Sequence, residues 1–227
     1  MDTPLGPIGA CVFDAYGTLF DVNAAAERCR TDLGDKAGPL AEMWRAKQLG
    51  YTWLRSLMDD YADFERVTAD ALDYAMASLK IDDLALAQRL MALYRELDAY
   101  AEVPAVLTRI RESGMTTAIL SNGSPGMLEA AVAHAGIAAV LDRVLSVDEL
   151  RIYKPHPSVY RLASERLGVA PGEVCFMSSN AWDVAGAAHF GFRAVWVNRF
   201  GQARERLSGT PAGEITTLSD LPGLLGL

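Results

Sequence analysis

Cysteine is scarce in this chain and unpaired: Cys11, Cys29 and Cys175 are an odd number with no C-x-x-C spacing. That suits a reducing cytoplasm better than a disulfide scaffold, and Cys11 and Cys175 sit in apolar runs where free cysteine acts as a small hydrophobe. Basic charge is also short, with 21 Lys and Arg against 29 Asp and Glu, a net charge of -8 and a pI near 4.9. Nucleic-acid binders concentrate Lys and Arg on one face, so a small molecule is the expected partner and nucleic acid is not. No apolar stretch approaches the roughly 20 residues of a membrane helix, and the opening MDTPLGPIGA lacks the basic and apolar regions of a secretory signal. The expectation is a soluble, unexported, cytoplasmic protein with no membrane partner, in which the sequon Asn122-Gly123-Ser124 is accidental. Missing too are a Walker-type phosphate loop, a dinucleotide fingerprint, an H-E-x-x-H motif, internal repeats and low-complexity linkers.

What is present is apolar and patterned. Hydrophobic residues make up 51% of the 227 positions, enough to build one large domain with or without a smaller insertion. Short apolar runs at Ile8 to Phe13, Thr116 to Leu120, Val174 to Met177 and Ala194 to Val197 suit strands buried on both faces. Helical patterns lie between them. Ser124-Pro125 opens one that Gly136 closes, and Pro157 opens another that Gly168 ends after Leu167. This alternation predicts an α/β fold, a doubly wound parallel sheet with its ligand site at the carboxyl ends of the strands. Residues 22–100 differ, because Phe64, Val67, Ala71, Leu72, Ala75 and Leu79 recur at helical spacing with little that reads as strand. The expected organisation is a discontinuous core of residues 1–21 and 101–227 with an inserted helical cap at 22–100.

Polar clusters follow the strand-like runs. Asp14 stands just after the first, before Ala15-Tyr16-Gly17-Thr18, where its carboxylate would project into the ligand crevice or simply make a turn. Ser121-Asn122-Gly123-Ser124 precedes a helix whose amino end offers N–H groups to a carboxylate. Lys154 precedes another helix, as either a surface cation or the partner that keeps a carboxylate ionised. Ser178-Ser179-Asn180-Ala181-Trp182-Asp183 follows the run ending at Met177. Four such clusters are hard to ascribe to turns alone.

In order and placement these clusters resemble the haloacid dehalogenase superfamily, and within it the L-2-haloacid dehalogenases, over nearly the whole chain. The resemblance assigns Asp14 as nucleophile, Ser121 to the second motif, Lys154 to the third and Asp183 to the fourth. Phosphatases of that superfamily carry an acid-base Asp two residues after the nucleophile, where this chain has Tyr16, and usually Gly-Asp where it has Ser178-Ser179. Those departures argue against a Mg²⁺ site, so neither metal nor cofactor is expected. Leu40-Ala41-Glu42-Met43-Trp44-Arg45, Lys47-Gln48-Leu49 and Tyr51-Thr52-Trp53-Leu54-Arg55 resemble the family's cap helix, with Arg45 at its active-site arginine. A helix-surface ion pair is the alternative for Arg45, and core packing for Phe64 and Trp182. His134, His156 and His189 fall at no matched position.

The resemblance implies that Asp14 displaces halide from the second carbon of an L-2-haloacid, and that water then cleaves the ester to the D-2-hydroxy acid with inversion. Tyr16, Ser121, Asn122, Arg45 and Tyr160 would bind substrate or support its polar surroundings. Arg45, Phe64, Asn180 and Trp182 would surround the halide, Arg45 serving halide, carboxylate or both. Thr18 and Lys154 would orient and ionise Asp14, and Asp183 with Ser178 and Asn180 would attend the hydrolytic water. The family also implies a homodimer. Competing readings are a metal-dependent phosphatase of the same fold and a non-catalytic binding protein.

Overall fold

The computed structural model describes residues 5–22 and 24–227. Strand β1 (Ala10–Phe13) is wholly buried, as its unbroken apolar run requires of a strand covered on both faces. It pairs in parallel with β2 (Thr116–Ser121) on one side and β4 (Val174–Ser178) on the other. Strands β3 (Arg143–Ser146), β5 (Arg193–Val197) and β6 (Gly213–Ile215) complete a six-stranded parallel sheet of order β3-β2-β1-β4-β5-β6. The chain works outward through β2 and β3, then crosses to β4 and works outward the other way. The order therefore reverses between β1 and β4, and Asp14 and Ser178 stand at the carboxyl edge of that reversal, where doubly wound sheets bind their ligands.

Between β1 and β2 the described residues form helices α1 (Ala24–Arg28), α2 (Arg30–Leu33), α3 (Ala37–Met58), α4 (Phe64–Ser78) and α5 (Leu84–Arg95). α4 begins where Asp63 accepts the Arg66 N–H at 2.8 Å, and it buries Phe64, Val67, Ala71, Leu72, Ala75 and Met76. Leu79, read as part of that stripe, caps the carboxyl end instead. The two chain segments that lead into and out of these helices run side by side. Phe20 bridges Ala99 in antiparallel fashion, Asp21 N–H donates to Asp98 O at 3.1 Å and Tyr100 N–H donates to Leu19 O at 3.0 Å.

Helices α6 (Val103–Glu112), α7 (Pro125–His134), α8 (Pro157–Leu167), α9 (Ala181–Phe190) and α10 (Leu221–Leu225) flank the sheet. Proline opens α7 and α8, and Gly168 ends α8 at a φ of 68°. Strands β3 and β6 were not legible in the sequence, because β3 is an edge strand with Arg143 and Val144 exposed and β6 has three residues. Among the described residues no helix is long and apolar enough to cross a membrane.

One close contact fixes α9 against the segment that carries Lys154. A Cβ on Gly186 would lie 2.6 Å from the Tyr160 hydroxyl and 2.7 Å from Pro155 Cβ. Gly186→Ala improves helix propensity by about 1 kcal/mol, whereas overpacking costs about 1–3 kcal/mol. Tyr160 is held by hydrogen bonds to Asp183, so it has little freedom to give way. The expected result is a net loss of stability, read as a lower urea midpoint at unchanged m-value; an equal or higher midpoint would show that Tyr160 yields.

Candidate active site

Asp14 leaves β1 with its N–H donated to Met177 O at 2.8 Å, and its side chain is nearly buried. Its two carboxylate oxygens have different surroundings. Oδ2 accepts from Asn180 Nδ2 at 2.9 Å, Thr18 Oγ1 at 3.1 Å and Ser178 Oγ at 3.4 Å. Oδ1 accepts from Lys154 Nζ at 3.0 Å. Thr18 is fixed by the Ser179 N–H, which donates to its Oγ1 at 2.8 Å, and Ser178 Oγ accepts the Asn180 N–H at 3.1 Å.

Lys154 is 1% exposed and also donates to Asp183 Oδ2 at 2.9 Å. Asp183 is wholly buried, and its Oδ1 takes a hydrogen bond from Tyr160 Oη at 2.8 Å. One ammonium thus lies between two buried carboxylates. The surface-cation alternative for Lys154 is overturned, because its backbone N–H is also tied to Asn122 Oδ1 at 3.1 Å, deep at the end of β2. Burial alone would lower the Lys154 pKa, but the fields of Asp14 and Asp183 outweigh it and the net shift is upward. For Asp183 burial dominates, opposed by Lys154 and reinforced by Asp14, and its pKa rises to about 6. Tyr160 is pushed well above its ordinary range, chiefly by burial and then by Asp183, so it stays a proton donor.

Arg45 reaches this cluster from α3. Its Nη2 donates to Asn180 Oδ1 at 3.1 Å and to Tyr16 O at 3.4 Å, while Nη1 donates to Gln48 Oε1 at 2.8 Å. Among the described residues Arg45 makes no ion pair, contrary to the surface alternative; it donates instead to two side-chain amide oxygens and a backbone carbonyl. A cleft of about 510 Å³ lined by Glu27, Gly38, Ala41, Glu42, Arg45 and Ala46 opens beside it.

Tyr16 packs its ring on Tyr94 at 5.5 Å and Phe64 at 5.6 Å between centroids, and its hydroxyl is buried without a partner. Burial first, then Tyr94 and Asp14, keep that hydroxyl protonated. Its ring lies so close to Gly123 that a Cβ there would come within 2.7 Å. Ser121 and Asn122 are buried; the Ser121 hydroxyl accepts the Gly123 N–H at 3.1 Å and so braces the turn. Trp182 packs edge-on against Trp53 of α3 at 5.3 Å, and among the described residues neither indole N–H has a hydrogen-bond partner.

Sequence reasoning did not single out Gln48, Thr68 or Tyr94, which surround Arg45 from behind. A signal existed: the inward stripe of α3 reads Ala37, Leu40, Trp44, Gln48, Thr52, three apolar residues followed by two polar ones, and buried polar groups require partners.

A family model described as haloacid dehalogenase-like hydrolase matches residues 8–191. The chain is 46% identical over 222 residues to (S)-2-haloacid dehalogenase 1 of Pseudomonas sp. strain CBS-3, covering 97% of this chain and 98% of that one. A dehalogenase of known structure superposes with a TM-score of 0.95 at 45% identity, covering 97% and 98% of the two chains. The L-2-haloacid dehalogenase of Xanthobacter autotrophicus, solved with chloropropionic acid covalently bound, superposes with a TM-score of 0.90 at 38% identity over 96% and 98% of the chains.

The buried ammonium yields a pH-dependent prediction. Asp183, raised to about 6, favours folding below the ordinary carboxylate range, and that contribution is lost as pH rises through about 6. Lys154→Met removes the cation that opposes this loss. Breaking a buried pair typically costs about 3–5 kcal/mol. Urea unfolding should show a loss of that order at pH 8 and a smaller one at pH 5, where Asp183 can take up a proton. A loss independent of pH would mean that packing, not charge, is what Lys154 contributes.

Proposed function

Because the chain belongs to the haloacid dehalogenase-like hydrolases, we propose that it hydrolyses short-chain L-2-haloacids to D-2-hydroxy acids through an ester on Asp14. The observation that carries this reading is the asymmetry of Asp14: three donors hold Oδ2, while Oδ1 has Lys154 and spare lone pairs. The covalently bound chloropropionic acid in the Xanthobacter relative supports it.

In the first step Asp14 Oδ1 attacks the second carbon of the substrate and the carbon–halogen bond breaks. A carboxylate is a weak nucleophile. It succeeds when the carbon is held in line at contact distance, where effective molarities reach about 10⁵–10⁸ M. Lys154 and Thr18 donate hydrogen bonds to Asp14 and orient its carboxylate. Arg45, Asn180, Phe64 and Trp182 surround the departing halide, and Ser121, Asn122, Tyr16 and the Arg45 fork take the substrate carboxylate. In the second step water attacks the Asp14 carbonyl carbon, the bond from that carbon to Oδ1 breaks, and the hydroxy acid leaves with Oδ1 as its hydroxyl oxygen, taking up a proton, while the water oxygen stays in the Asp14 carboxylate. During the attack negative charge grows on Oδ2, the oxygen that Thr18, Ser178 and Asn180 already face with donors. Asp183, with Tyr160 and Lys154 fixing its oxygens, takes the proton of that water, and a pKa near 6 suits a base at neutral pH.

A divalent cation does not fit this arrangement. It would need free carboxylate oxygens in an octahedral shell, yet Asp14 Oδ2 faces N–H and O–H donors, Asp183 Oδ2 faces an ammonium, and Tyr16 offers one carbonyl already engaged by Arg45. The phosphatase alternative loses its metal and its acid-base carboxylate at the same position. We carry the division into a core of 1–21 with 101–227 and a cap of 22–100 as part of this reading. Cytoplasmic location and a homodimer belong to it as well, the homodimer supported by Leu54, Leu57 and Met58 exposed on one face of α3.

The test is halide release from the two enantiomers of 2-chloropropionate, with and without chelator, followed by a single turnover with enzyme in excess in heavy-oxygen water. The S enantiomer should react, chelation should change little, and the first product should carry unlabelled oxygen while the peptide containing Asp14 becomes heavy. Heavy oxygen in the first product with none in Asp14 would replace the ester by direct attack of water. Activity that depends on Mg²⁺ would restore the phosphatase-type site.

A further inference from the structure

We propose that Gln48 is a positioning residue for Arg45, fixing its guanidinium toward the departing halide while leaving its positive charge unneutralised; the inference rests on the dehalogenase reading. The juxtaposition is specific. Gln48 is 1% exposed, one helical turn after Arg45 on α3, and Arg45 Nη1 donates to its Oε1 at 2.8 Å. Its Nε2 donates to Thr68 Oγ1 on α4 at 2.7 Å and lies 3.1 Å from Tyr94 Oη on α5. Three helices meet at one amide.

The orientation of that amide is dictated by its neighbours. The Thr68 hydroxyl gives its proton to Phe64 O at 2.6 Å, so toward Gln48 it can only accept. Arg45 can only donate. Gln48 must therefore turn its NH₂ to Thr68 and its carbonyl to Arg45, with no second arrangement of equal worth. The same logic continues on the far side of the guanidinium. Asn180 accepts from Arg45 at 3.1 Å with Oδ1 and donates to Asp14 Oδ2 at 2.9 Å with Nδ2. Donation thus runs outward from Arg45 on both sides, through Gln48 and Thr68 to the Phe64 carbonyl and through Asn180 to the Asp14 carboxylate.

A neutral amide matters at this position. A glutamate in place of Gln48 would accept the same hydrogen bond but would cancel the charge that an anionic substrate and a leaving halide require. A buried pair of that kind is strong in a low-dielectric site. An apolar side chain would leave an Arg45 N–H and the Thr68 oxygen without partners, and a long guanidinium stem with its rotamers freed. Gln48 meets both demands, and Tyr94 ties it to the ring of Tyr16, on which it stacks.

The experiment measures first-turnover halide release from (S)-2-chloropropionate and (S)-2-bromopropionate by rapid quench, for wild type, Gln48→Met, Gln48→Glu, Thr68→Val, Arg45→Lys and the Gln48→Met, Arg45→Lys double variant. Chloride is the poorer leaving group and leans more on Arg45. Gln48→Met should slow chloride release tenfold or more and bromide release several-fold less, while adding under twofold in the Arg45→Lys background. Gln48→Glu should slow both and raise the apparent dissociation constant of the anionic substrate. If Gln48→Met does not fold, Gln48→Glu and Thr68→Val carry the test, Thr68→Val widening the chloride-to-bromide ratio to a smaller degree. Equal slowing of both halides, or an undiminished effect without Arg45, assigns Gln48 to cap packing and overturns the inference alone. No halide release from the wild type would overturn the dehalogenase reading and this inference with it.

Discussion

A single buried ammonium organises this molecule. Lys154 is placed 3.0 Å from one carboxylate and 2.9 Å from another, all three groups nearly or wholly out of water. Such a cluster is costly to assemble, and it persists where each charge has partners on every side. Much of the fold near the site can be read as providing them. β1 delivers Asp14, α9 delivers Asp183, the end of β2 holds the Lys154 backbone through Asn122, and α8 supplies the Tyr160 hydroxyl. Gly186 keeps α9 close enough for that hydroxyl to reach Asp183.

The elements that carry the site were legible because their chemistry is local. A strand buried on both faces must be apolar throughout, and its first polar residue marks its end; Asp14, Ser121 and Ser178 are found where that rule puts them. Helix ends declared themselves through Pro125, Pro157 and Gly168. What stayed hidden was non-local. Nothing in the run around Lys154 says that it is buried, since burial comes from partners 140 and 29 residues away. β6 is too short to show a period, and β3 has its first two residues exposed at the sheet edge, so neither matched a buried-strand pattern. The role of Gln48 also depends on non-local partners, Thr68 on α4 and Tyr94 on α5, that close over it.

The site draws on two layers that the chain must bring into register. The Asp14 cluster belongs to the sheet, and Arg45 belongs to α3. Their register is set away from the chemistry, where Tyr61 Oη donates to Asp148 at 2.6 Å, Tyr153 Oη donates to Ala62 O at 2.5 Å and the Tyr153 N–H donates to Ser56 Oγ at 3.2 Å. Tyr153 is adjacent to Lys154. The segment that buries the ammonium is thus the one that seats the helices above it, and Lys154, the charge partner of Asp14, and Arg45 are positioned by a common anchor.

This coupling bears on how one site serves two opposite steps. Asp183 is raised by burial and by the charge of Asp14, and lowered by Lys154. Once Asp14 is an ester its charge is gone, so one influence that holds Asp183 up is removed. Lys154, released from sharing between two carboxylates, then acts on Asp183 alone. Both changes favour the ionised form of Asp183. On the mechanism we propose, ester formation would thus prepare Asp183, by electrostatics, to act as the base for hydrolysis.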